Sequence, residues 1–190
     1  MSIDASETAL VIIDIQEKLM PTMDQAKLSA AVSNIHLLVE LAQELNIPIV
    51  VTEQYPKGLG KTIPDIIKIL DGKKNVTWAE KVAFGCCDDD AIKKTFLSLG
   101  RRKLILTGME THVCVYLTAL GLRKIGAIPF IPQDAVLSAS EAHHQNGLEL
   151  CREAGSTVTN TQTLLFQLMQ RCDAPYFKKI SQLLKDSLKK

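Results

Sequence analysis

Lys103-Leu104-Ile105-Leu106-Thr107, followed by Gly108-Met109-Glu110-Thr111-His112-Val113-Cys114-Val115, is the stretch on which the reading of this chain turns. Its first five residues form an apolar run without polar alternation, which reads as a strand buried on both faces of a parallel sheet. Gly108 ends the strand, and a helical pattern over 112–125 begins within a few residues. Cys114 therefore falls in the first turn of the expected helix. Free N–H groups and the positive end of the helix dipole favour an anion there, so the spacing predicts a thiol drawn toward thiolate, and hence a nucleophile.

The same alternation of short β-branched runs and longer amphipathic segments extends in both directions. Strands are expected at 8–14, 48–52, 76–81, 103–107, 127–132 and 157–160. Helices are expected at 25–45, 63–70, 88–99, 112–125, 140–154, 161–171 and 175–188. A loop containing Pro56, Gly58 and Gly60 fills 53–62. Repeated strand–helix units with right-handed crossovers give an α/β three-layer, Rossmann-like fold around a six-stranded, mainly parallel sheet. No repeat or low-complexity linker divides the chain, so residues 1–190 are expected to form a single domain.

Composition narrows the function. Of the 190 residues 46% are hydrophobic, and the formal net charge is only +1. That balance argues against nucleic acid or an anionic membrane surface as an obligatory partner. The longest apolar runs, such as Ala9-Leu10-Val11-Ile12-Ile13, are too short to span a bilayer, and the N-terminal segment lacks the pattern of a signal peptide. Lys189-Lys190 read as a solvated end. The five cysteines are odd in number, Cys86 and Cys87 are adjacent, and no Cys-x-x-Cys spacing occurs. Reduced thiols and a cytoplasmic location are the expectation.

Ligands of open α/β sheets bind at the carboxyl ends of the strands. The residues leaving those ends are Asp14 and Gln16, then Thr52-Glu53-Gln54, then Lys81, then Gly108 through Cys114. Asp14 follows a fully apolar run, so its carboxylate starts half-buried and needs a partner. Lys81 can supply the charge, and Cys114 can supply a proton.

This set resembles the isochorismatase-like cysteine hydrolases, a superfamily that includes nicotinamidases and N-carbamoylsarcosine amidases. Val11-Ile12-Ile13-Asp14-Ile15-Gln16, Lys81-Val82-Ala83-Phe84 and Gly108 to Val115 carry the likeness. Thr52 to Thr62 and Pro175-Tyr176-Phe177-Lys178-Lys179-Ile180 are similar to the branch called isochorismatase domain-containing proteins. The resemblance implies a catalytic triad of Asp14, Lys81 and Cys114, in which Asp14 takes the thiol proton, Lys81 balances charge and Cys114 attacks a carbonyl carbon. It also implies a cis peptide at Met109–Glu110 and an oxyanion hole built from the backbone N–H groups of Glu110 and Cys114. The Glu110 carboxylate would turn toward a neighbouring strand.

The chain departs from its relatives in two ways. Nicotinamidases carry an Asp-x-His pair and a further histidine around a metal. Here that stretch is Thr52-Glu53-Gln54, and none of His36, His112, His143 and His144 replaces it, so no metal and no cofactor are expected. A cysteine at 114 also argues against the vinyl ether of isochorismate as substrate. Gln16, Gln54, Tyr55 and His112 remain as candidate substrate contacts, and Phe84 is expected to pack in the core. The reading is a hydrolase cleaving a small amide or ureido C–N bond through a thioester, with a small-molecule substrate and a homo-oligomeric assembly. A redox-responsive thiol protein and a non-catalytic assembly protein on the same fold are the alternatives.

Overall fold

A computed structural model describes residues 2–187. The sheet contains β1 (Thr8–Ile13), β2 (Ile49–Gln54), β3 (Val76–Lys81), β4 (Lys103–Met109), β5 (Ile128–Pro132), β6 (Val136–Leu137) and β7 (Thr157–Thr159). Its order is β3-β2-β1-β4-β5-β7, with β6 paired to the end of β4, and every strand pair is parallel. The helices are α1 (Gln25–Glu44), α2 (Pro56–Leu59), α3 (Pro64–Leu70), α4 (Asp90–Ser98), α5 (Tyr116–Lys124), α6 (Glu141–Glu153), α7 (Thr161–Met169) and α8 (Phe177–Ser187). Among the described residues no helix is long and apolar enough to cross a membrane.

Side chains alternate across a strand, and β1 shows how that alternation builds three layers. Leu10 and Ile12 join Ile35, Leu38, Ile66, Leu164 and Ile180 on the face covered by α1, α3, α7 and α8. Ala9, Val11 and Ile13 join Ile92, Phe96, Ala119, Leu122 and Leu148 on the face covered by α4, α5 and α6. Both faces are buried, so the strand has to be continuously apolar. Polar residues start the helices: the side chains of Asp24, Asp89, Ser140 and Asn160 accept from backbone N–H groups in the first turns of α1, α4, α6 and α7.

The three-layer α/β expectation is borne out, with local corrections. The two-residue β6 is a seventh strand. Residues 56–59 of the expected loop form a helical turn. The helix expected from 112 opens as a π-helical turn, Thr111–Val115, before α5. The final helix begins at Phe177, and its expected last residue, Leu188, lies outside the described residues, as do Lys189 and Lys190.

Chain order places the site. The chain runs outward through β1, β2 and β3, then returns to lay β4 on the other side of β1. In open α/β sheets, that reversal is the place where ligands bind. Gly108 makes the close approach possible. It pairs with Ile13 at φ 104°, and a Cβ there would lie 2.0 Å from the Ile13 carbonyl oxygen. Gly108→Ala is therefore expected to cost more than about 3 kcal/mol in urea unfolding, because both backbone strain and a clash with rigid backbone oppose it.

Candidate active site

Asp14 leaves β1 in the left-handed region at φ 50° and is 1% exposed. Its backbone N–H donates to Thr52 O at 3.1 Å, which keeps the carboxylate beside the end of β2. Lys81, at the end of β3, is 2% exposed and reaches across β2. An ammonium has three protons, and this one places all three: on Asp14 Oδ2 at 2.6 Å, Gln54 Oε1 at 2.7 Å and Phe84 O at 3.0 Å. The other carboxylate oxygen, Asp14 Oδ1, accepts from Thr52 Oγ1 at 2.7 Å. Burial opposes the Lys81 ammonium, but the negative charge of Asp14 and the hydrogen bond to it outweigh burial and raise the lysine pKa. Lys81 is thus held as an ammonium against Asp14.

Cys114 sits in the π-helical turn, 7% exposed. Its thiol is pushed up to about 12, first by burial and then by the charge of Asp14 beside it; Lys81 pulls the other way but does not prevail. The expected shift toward thiolate is corrected here. A helix start favours an anion only where the thiol stays solvated, and this one is enclosed with a carboxylate for a neighbour. The resting group is a neutral thiol, and hydrogen bonding to Asp14 further favours that protonated form.

The Met109–Glu110 peptide is cis. The Glu110 carbonyl accepts from the N–H groups of Val113 and Val115, on either side of Cys114, at 3.1 and 3.2 Å. Its carboxylate accepts from Ala139 N at 2.9 Å, just past β6.

The structure separates the candidate contact residues. Gln16 is not free to meet a substrate. Its Nε2 donates to Gln54 O and Gly60 O, and its Oε1 accepts from Gln54 N, so its amide is spent on backbone. Gln54 is spent likewise, accepting from Lys81 and donating to Val82 O at 2.8 Å. Tyr55 is exposed, in the left-handed region at φ 38°, with its N–H on Lys81 O. His112 is half-buried, with Nδ1 3.1 Å from Ser138 Oγ and its ring stacked on His143 at 4.5 Å. Phe84 is 59% exposed, not a core residue, while its carbonyl turns inward to Lys81.

Three supporting residues escape a reading of the sequence. Thr52 holds Asp14. Glu53, buried, accepts from Thr62 N, Thr62 Oγ1 and Lys61 Nζ and so closes the 53–62 loop. Cys86, fully buried and raised to about 11 mainly by burial, lies against the hydroxyls of Thr118 and Thr52. The one sequence signal for Thr52 and Glu53 is the run Thr52-Glu53-Gln54, polar residues closing an apolar strand with no turn between, and Cys86 has no such signal. Among the described residues no three His, Cys, Asp or Glu side chains are grouped to hold a metal ion.

Residues 8–163 match the isochorismatase domain. The chain belongs to the isochorismatase family. It is 34% identical over 178 residues to isochorismatase domain-containing protein 2 of Danio rerio, covering 93% of this chain and 86% of that one. It is 33% identical over 183 residues to the secreted isochorismatase effector Isc1 of Phytophthora sojae, covering 96% and 86%. The MAR1 ribonuclease structure from Caenorhabditis elegans superposes with a TM-score of 0.89 at 30% identity, over 97% of this chain and 93% of that one. The chain is accordingly an isochorismatase-family hydrolase.

Breaking a buried ion pair leaves an uncompensated charge or an unfilled acceptor set. Lys81→Met and Asp14→Asn should each lower unfolding stability by about 3–5 kcal/mol. The double variant Asp14→Asn/Lys81→Met should lose clearly less than the sum in urea titrations. Additive losses would show that the two groups do not depend on each other.

Proposed function

We propose that this protein hydrolyses a C–N bond of a small amide or ureido compound through a thioester on Cys114. The observation that carries the reading is the arrangement of charge. A neutral thiol faces a carboxylate whose negative charge is held in place by one fully committed ammonium.

Asp14 takes the thiol proton as Sγ attacks the carbonyl carbon, and the carbonyl electron pair moves onto oxygen. Lys81 keeps its position, so the charge that leaves Asp14 and appears on the substrate oxygen stays close to the same cation. Backbone N–H groups of Glu110 and Cys114 receive the oxyanion. The C–N bond then breaks, nitrogen departs as ammonia or an amine with the proton from Asp14, and the thioester remains. Water adds to the thioester, giving its proton to Asp14; the sulfur leaves, recovers that proton, and the acid is released. No cofactor enters the scheme. Tyr55 and His112 are the substrate contacts this reading retains, while Gln16 and Gln54 serve as scaffold.

The name of the worm relative raises RNA as another substrate. Charge speaks against it here. The chain carries a net +1, and the ammonium of the site has its three protons on protein oxygens, with none to offer a phosphate. Five unpaired thiols suit a reducing compartment, and we assign the protein to the cytoplasm. Assembly into homo-oligomers is supported by the free edge of β3, beside which Trp78, Val82 and Phe84 stand exposed.

The test is ammonia or amine release across a panel of small amides and ureas, with intact-mass analysis of acid-quenched enzyme. The wild type should turn over at least one compound and show an acyl adduct on the Cys114 peptide. Cys114→Ala and Asp14→Asn should each lower kcat/KM by at least about 10³-fold. Hydrolysis that survives Cys114→Ala would overturn the proposal.

A further inference from the structure

β2 lies between the two strands that carry the ion pair, and its last residues touch both charges. Thr52 is level with Ile13 of β1 and Gln54 is level with Lys81 of β3. These alternate positions on one strand place their side chains on the same side of the sheet. Thr52 gives its one proton to Asp14 Oδ1 at 2.7 Å, and Gln54 accepts from Lys81 at 2.7 Å while its own Nε2 is fixed to Val82 O. Gln54 is held in turn by Gln16, which bonds both its N–H and its carbonyl.

From this we infer that Thr52 is a positioning residue for the reaction, acting through Asp14, and that Gln54 does the same through Lys81. The inference rests on the hydrolase reading and extends it to residues that never meet the substrate. Its physical content is a division of the carboxylate. Lys81 occupies Oδ2 and Thr52 occupies Oδ1, so the group is oriented by two short bonds from separate neighbours. Thr52 is fully buried, so no water replaces its hydroxyl when it is removed. The hydroxyl also stabilises the ionised carboxylate, the only form that can take a proton from Cys114.

Cys86 is buried against Thr52 and Thr118, and burial keeps it a neutral thiol.

The experiment is the rate of Cys114 alkylation by iodoacetamide as a function of pH, followed by peptide mapping, in wild type, Thr52→Val and Thr52→Ser. Thermal unfolding is measured in parallel. Loss of a hydrogen bond to a charged group should slow labelling at neutral pH by about 10- to 100-fold in Thr52→Val and move the acid limb of the profile upward by about one unit. Thr52→Ser should restore both within about threefold. If Thr52→Val does not fold, Thr52→Ala carries the same comparison against serine. An acid limb that stays in place in the valine variant, or that moves equally in the serine variant, would overturn the role of Thr52 and leave the hydrolase reading standing. A wild-type profile without labelling at Cys114 or without an acid limb would overturn the hydrolase reading, and the positioning role with it.

Discussion

One buried ammonium governs this structure. Lys81 is enclosed, and a charge that leaves water is tolerated only if its hydrogen bonds and its charge are met inside the protein. Four separate segments meet that demand: the end of β1 through Asp14, the end of β2 through Gln54, the turn after β3 through the Phe84 carbonyl, and β3 itself, which aims the side chain inward. The turn after β4, which pairs with β1, brings Cys114 to the same place. Topology, loop geometry and the polar ends of the apolar strands therefore answer one electrostatic requirement.

Under the proposed reaction, that requirement explains how a thiol raised to about 12 can serve as the nucleophile. Asp14 and the sulfur compete for a single cation. While Asp14 is ionised it holds Lys81 and disfavours a second anion beside it, so the thiol keeps its proton. When the proton passes to Asp14, the carboxylate loses its charge and the ammonium is left to the sulfur. In the proposed reaction the activated state forms only as the proton moves.

Much of this was legible in the chain. The placement of Asp14, Lys81 and the segment leading to Cys114 beyond successive strands follows from the strand–helix alternation, as does the three-layer fold, while their grouping as a triad is what the family resemblance implies. What was hidden depends on register and on burial. Thr52 reaches Asp14, and Gln54 reaches Lys81, only because β2 lies between β1 and β3 at one particular offset. Gln16 reads as a polar contact but is consumed by the backbone of Gln54 and Gly60. The two residues of β6 are too few for any periodicity to show. The direction of the thiol shift was reversed because helix position is visible in sequence, whereas enclosure next to a carboxylate is not. Phe84 shows the same limit from the other side: its aromatic side chain stands exposed while its backbone carbonyl serves the lysine.

The competition for Lys81 is tested most directly by the titration of the Cys114 thiol, followed through its Cβ resonance in protein carrying 13C-labelled cysteine and assigned with Cys114→Ala. In the wild type the resonance should stay in its thiol form to about pH 10 or beyond, well above the ordinary cysteine value of about 8.5. In Asp14→Asn, with the competing charge removed and the ammonium still present, the midpoint should fall; in Lys81→Met, with the cation gone, no titration should appear below that of the wild type. A wild-type thiol that ionises near or below the ordinary value, or a midpoint that rises in Asp14→Asn, would mean that Asp14 does not hold the proton on Cys114 and that the shared cation does not control the nucleophile.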